Sequence, residues 1–237
     1  PPSPPPPTPP PSPAGDNVVI VATDGITGMT TYQLTYSLDA SQANVYAMAG
    51  TVDTAMSIPR AFQVATPFGA DIGGVSPAFF ALSADSEFDS WLTVGVTDAT
   101  AVSDISSIGI NFDEWTINDG ISTNNAAVFW MDPAQGPSTS TVVLAQVTVA
   151  TGSGGQAAAV LQGRSSGDAE DWSMATSWDL SGGTAGPAPP PTPPGTCTMC
   201  GHACHGSCSS CGQCSDKPGC DTEAKCMGQC NAGGNSM

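Results

Sequence analysis

Every Ile, Leu, Val, Phe, Tyr and Trp of this chain lies between two proline runs, PPSPPPPTPPPSP at residues 1–13 and PAPPPTPPG at residues 187–195. A hydrophobic core can therefore form only in the stretch they enclose. Elsewhere the chain must take its shape from something other than burial. Each proline fixes φ and lacks an N–H donor, which leaves polyproline II as the one regular conformation open to the runs. At about 3.1 Å per residue the first run would extend roughly 40 Å, the width of a small domain. The expected organisation is an arm at 1–14, a folded domain at 15–186, a Pro-rich linker at 187–195 and a Cys-rich module at 196–237.

Within 15–186 the apolar residues alternate with polar ones. In TTYQLTYSL, Tyr32, Leu34, Tyr36 and Leu38 share one face, and Thr31, Gln33, Thr35 and Ser37 share the other, the period of a strand with one buried side. NVVIVAT, ANVYAMA, SWLTVGV, ISSIGINF, AAVFWM, STVVLAQVTVA and QAAAVLQG supply further short runs, separated by DGITG, NDG and DPAQG. Short strands punctuated by turn residues predict a mainly β fold, an antiparallel β-sandwich or jelly roll. In one stretch, SPAFFALSADSEF, a short helix with Ser76 as cap and Pro77 at its first position competes with a strand. The longest apolar stretch, TVVLAQVTVAT, is interrupted by Gln146 and Thr148 and falls short of the roughly 20 residues a membrane-spanning helix needs.

Charge excludes two classes of partner. With 4 Lys+Arg against 21 Asp+Glu and a formal net charge of −17, the chain cannot neutralise a run of phosphates, so neither nucleic acid nor an anionic membrane surface is expected to hold it. The segment 15–186 has no His, Cys or Lys, which removes Ser-His-Asp, Cys-His and Schiff-base catalysis from it. A carboxylate pair drawn from Asp85-Glu87-Asp89, Asp113-Glu114 or Asp168-Glu170-Asp171 is the remaining catalytic option. Each is more simply a solvated acidic loop, so no catalytic residue is expected. No loop has the calcium-binding spacing D-x-[DN]-x-[DN]-G; calcium would screen the acidic face loosely, and no specific metal site or cofactor is predicted.

Sugar recognition needs exposed aromatic faces. Trp91 and Trp130 lie inside apolar runs and belong to the core, whereas Trp115, Trp172 and Trp178 have polar neighbours and are the candidates for stacking on sugar.

The last 42 residues hold nine cysteines, Cys197, Cys200, Cys204, Cys208, Cys211, Cys214, Cys220, Cys226 and Cys230. Only cross-links can order a segment so poor in apolar side chains, and two chemistries would do it: disulfides, or zinc held by thiolates with His202 or His205. Nine is odd, so in the disulfide case one cysteine is free or pairs outside the segment. Spacing does not fix the connectivity.

The words SPPPP (Ser3 to Pro7) and TPPPSP (Thr8 to Pro13) resemble the extensin-type repeats of hydroxyproline-rich glycoproteins of plants and green algae, including algal wall and mastigoneme-like fibril proteins. The Cys-rich end beside its Pro-rich linker is similar to the modules attached to secreted cellulases of volvocine algae. The first resemblance implies hydroxylation and O-glycosylation at Ser3, Pro4, Pro5, Pro6, Pro7, Thr8, Pro9, Pro10, Pro11, Ser12 and Pro13, and again at Pro189, Pro190, Pro191, Thr192 and Pro193. It also implies secretion, where disulfides persist, and so favours them over zinc. Nowhere does Asn-X-Ser/Thr occur, so the glycans expected are O-linked. The sequence begins without Met or a leader, as expected of a mature secreted chain or a segment of a longer one.

The expected function is that of a structural glycoprotein which assembles with itself into a cell-wall or surface fibril, its arms docking on neighbouring β-domains. The alternative is a carbohydrate-binding accessory region of a secreted hydrolase, with wall polysaccharide as partner.

Overall fold

The computed structural model describes residues 15–167, 170–182, 184–185, 197–199 and 202–204. The expected arm, every expected glycosylation position and all the cysteines except Cys197 and Cys204 lie outside the described residues. The chain divides into two units, Pro1–Gly186 and Pro187–Met237.

The first unit is mainly β. Its strands are β1 (Gly15–Thr23), β2 (Met29–Ser37), β3 (Ala47–Gly50), β4 (Met56–Ile58), β5 (Trp91–Leu92), β6 (Ile105–Ile108), β7 (Ile121–Thr123), β8 (Ala126–Trp130), β9 (Thr141–Ala150), β10 (Gln156–Gly163), β11 (Trp172–Asp179) and β12 (Thr184–Ala185). One sheet runs β12-β1-β2-β9-β5. In the other, β10 pairs along its whole length with β11, so β3 and β4 share its opposite edge end to end. β8 and β7 then continue from β3 and β4, and β6 closes the sheet on β8. Pairing is antiparallel except between β1 and β12.

The core follows from the alternation along β2 and β9. Leu34 and Tyr36 from β2 and Leu144, Val147 and Val149 from β9 meet Met48, Met56, Val128, Ala159 and Leu161 of the other sheet in one buried cluster. A bulge sits between Leu34 and Thr35 in the β2–β9 pairing. Trp178 of β11 reaches across to the same place, its indole N–H donating to the Thr35 carbonyl at 2.8 Å.

Over SPAFFALSADSEF no continuous α-helix forms. Pro77–Phe79 and Ala84–Phe88 are short 3₁₀ turns, and the Ser76 side chain makes no capping hydrogen bond. Ser83 and the acids at 85, 87 and 89 break the apolar repeat that a longer helix would bury. No helix among the described residues is long and apolar enough to cross a membrane.

In the second unit, β13 (Cys197–Met199) pairs antiparallel with β14 (His202–Cys204), setting Cys197 opposite Cys204 and Met199 opposite His202.

Candidate functional site

The long connection from β4 to β5 decides which polar residues reach solvent. It lies over the polar face of the β2–β9 pair. There Gln146 Nε2 donates to the carbonyls of Glu87 and Asp89 at 3.0 and 2.9 Å, and the Thr148 hydroxyl donates to the Phe88 carbonyl at 2.6 Å. Thr31, Thr35, Gln146 and Thr148 are consequently buried, although their alternation reads as a wet strand face.

Asp89 is the pivot of that connection. Its side chain is 0 % exposed, and its two carboxylate oxygens accept the backbone N–H groups of Val64 at 2.8 Å and Ala70 at 2.7 Å. Those bonds, with one from Ser90, favour the carboxylate, but the loss of hydration outweighs them and pushes its pKa up to about 6, with Asp71 adding a smaller push in the same direction. Burial, and then the charge of Asp113, raises Asp71 as well. Asp71 thus feels Asp113 and acts in turn on Asp89, although Asp71 and Asp89 belong to the β4–β5 connection and Asp113 to the one between β6 and β7, and no local spacing in the sequence could have joined them.

Of the acidic clusters singled out in the sequence, Asp85, Glu87, Asp113 and Glu114 are exposed, whereas Asp89 is a buried anchor for the backbone of Val64 and Ala70. Asp168 lies outside the described residues. Asp171 receives both N–H···O contacts from Arg164 Nη1, at 2.9 and 3.0 Å, and accepts the Tyr46 hydroxyl at 3.2 Å. The Arg164 guanidinium carbon lies 5.9 Å from the centre of the Tyr46 ring, so the group clamps the β10–β11 connection to the start of β3. Desolvation, followed by the Asp171 charge, raises the Tyr46 pKa. Among the described residues no group of three or more His, Cys, Asp or Glu is placed to hold a metal ion.

The three candidate sugar-stacking tryptophans are not on one face. Trp115 and Trp178 are 2 % and 1 % exposed and belong to the core, a correction to the expectation of solvent-facing rings. The cause is that each indole N–H finds a backbone carbonyl, Pro59 at 2.9 Å for Trp115 and Thr35 at 2.8 Å for Trp178, so a polar neighbourhood in sequence did not require water. Trp172 is half-buried, stacked on Tyr36 with ring centres 5.8 Å apart, and its N–H is shared between the carbonyls of Arg164 and Asn44. Comparison with protein-family models, with curated proteins and with solved structures found no match to this chain.

Proposed function

We propose that this protein is a structural extracellular glycoprotein that assembles with itself into a cell-wall or surface fibril, and that its two sheets form the layers of a sandwich of the jelly-roll kind. The observation that carries the reading is the division of the chain. One segment holds every Ile, Leu, Val, Phe, Tyr and Trp, and Pro-rich and Cys-rich segments without them flank it. A polyproline arm loses little conformational entropy on docking, because its φ angles are already restrained in the free chain. Its ring faces are apolar and its carbonyls are free acceptors, which suits lateral packing on a neighbouring β-domain. In this reading the arms carry O-glycans, the cysteines form disulfides, and the odd cysteine joins subunits.

The β-domain supports a load-bearing role through the way it is tied together. Its long β4–β5 connection is anchored to β9 through Gln146 and Thr148 rather than left free. Electron microscopy of the native extracellular material tests the proposal. Ordered filaments with added density along the proline runs are the expected result; dispersed single particles would overturn it.

A further inference from the structure

A cavity of about 420 Å³ opens where the chain leaves β4 and where β9 turns into β10, and Pro59, Arg60, Ile117, Ser153, Gly154 and Gly155 are among the residues that line it. Its volume is in the range of small-ligand pockets, about 300 to 1,000 Å³. Four features set it apart from the rest of this domain. No Asp or Glu lines it, although residues 16–187 contain 18 acids and 2 bases. It also holds the domain's one uncommitted cation among the described residues: Arg164 is paired with Asp171, whereas Arg60 has no carboxylate partner. The turn lining it is built of glycine, with φ of 61° at Gly154 and 143° at Gly155. At Gly154 the space where a Cβ would stand meets nothing nearer than Ser181 at 4.0 Å, so a ligand can approach the main chain closely there. Finally, Ile117 is 50 % exposed and Pro59 partly so, giving an apolar flank next to the charge.

We infer that this cavity is a binding site for an acidic sugar, a pyranose unit bearing a carboxylate, within a polysaccharide or glycan. The carboxylate sets the class, because a guanidinium presents paired N–H donors that match its two oxygens. Ile117 and Pro59 would cover the apolar C–H face of the ring, and Ser153 together with the backbone of the glycine turn would meet its hydroxyls. A neutral sugar would leave Arg60 without its counter-charge. A bare inorganic anion would leave the apolar flank and most of the cavity unused. The field of the acidic domain opposes any anion at long range, so affinity should be weak, on the order of millimolar. The inference goes beyond the assembly reading and stands without it, since it uses neither the arms nor the cysteines.

The test is a titration of the full, isotope-labelled chain with trigalacturonate, with its neutral counterpart galactotriose, and with sodium sulfate, following backbone amide shifts. Trigalacturonate is expected to move the amides of Arg60, Ile117, Gly154 and Gly155, with the other two probes at least about tenfold weaker. Arg60→Gln should weaken trigalacturonate by about tenfold or more while leaving the remaining spectrum in place, because Arg60 is exposed and supports no packing; Arg60→Lys should fall between. Equal affinity for sulfate would reduce the site to a plain anion site and overturn the sugar assignment. Equal affinity for galactotriose, unchanged binding by Arg60→Gln, or shifts confined to other surfaces would each overturn the inference outright.

Discussion

Thr31 donates its hydroxyl to that of Thr148 at a separation of 2.8 Å, in the buried interface between the β2–β9 pair and the connection that covers it. The direction of this bond follows from the next one, because the single hydroxyl proton of Thr148 is committed to the Phe88 carbonyl at 2.6 Å. Thr148 is therefore both acceptor and donor in a two-bond relay from sheet to loop. Thr148→Val keeps the shape but leaves the Phe88 carbonyl and the Thr31 hydroxyl without partners in a dry site. Loss of about 2 kcal/mol in urea unfolding is expected. Thr31→Val removes only the outer bond and should cost less, about 1 kcal/mol. Equal effects from the two would contradict the relay.

Asp89 makes the domain's stability depend on pH in an unusual sense for a carboxylate. Its folded pKa is pushed up to about 6 from an ordinary 3.8, so the folded state holds the proton more tightly than the unfolded chain does. The favourable contribution is complete below about pH 4 and is lost as pH rises through about 6. Asp71, raised as well, acts in the same direction. Asp39, Asp98 and Asp179 are lowered, first by the hydroxyls of Ser41, Thr100 and Ser181. Their contribution is present above the ordinary carboxylate range and is lost on stronger acidification. Unfolding free energy should accordingly rise as pH is lowered from about 7 to about 5, by an amount of order 1 kcal/mol from Asp89. Asp89→Asn should flatten that slope, whatever it does to the absolute stability. A slope unchanged in the variant would remove Asp89 as its source.

Two glycines separate steric from conformational need. A Cβ at Gly163 would lie 1.9 Å from the Asn44 carbonyl oxygen and 2.5 Å from the Trp172 ring, whereas one at Gly152, at φ of 75°, would meet nothing within 4 Å. Gly163→Ala must push β10 away from both the chain before β3 and the Trp172 stack, and should cost at least about 3 kcal/mol. Gly152→Ala carries only the left-handed backbone penalty, about 1 kcal/mol. Thermal melts of the two variants check the order.

The strands readable from sequence are those whose partners are also regular. Tyr32, Leu34 and Tyr36 face the core as their spacing predicts, whereas in β9 the six residues from Leu144 to Val149 are all buried, because the β4–β5 connection covers the face that alternation assigns to water. SWLTVGV reads as a strand equally well, yet regular strand covers only Trp91 and Leu92, although the N–H groups of Thr93 and Gly95 still reach carbonyls of β9. Thr93 bends the chain back on itself by donating to the Val96 carbonyl at 2.6 Å and accepting its N–H at 3.0 Å, and Gly95 takes a φ of 86°. β11 escaped the pattern for the opposite reason. Of WSMATSWD only Trp178 is fully buried, so an edge strand carries no alternation to read. Among site residues, Asp71, Asp89 and Asp113 are linked only by tertiary folding, and Arg60 is conspicuous only once the acids are known to lie elsewhere.

The register of the second unit adds a prediction about the cysteines. Cys197 and Cys204 stand opposite one another across the β13–β14 pair, and opposed residues in antiparallel strands have Cα atoms about 4.5 to 5.5 Å apart. That separation is within the span a disulfide bridges, about 4.4 to 6.8 Å. Non-reducing peptide mapping of the native chain should therefore recover Cys197 linked to Cys204 in preference to the sequence-nearer Cys200. Replacing both by Ser should remove one bridge, seen as one pair fewer of alkylatable thiols after reduction, while the other cysteines keep their partners. Recovery of Cys197 joined to Cys200, or of thiolates that alkylate only after a zinc chelator is added, would show that this hairpin is held by different chemistry.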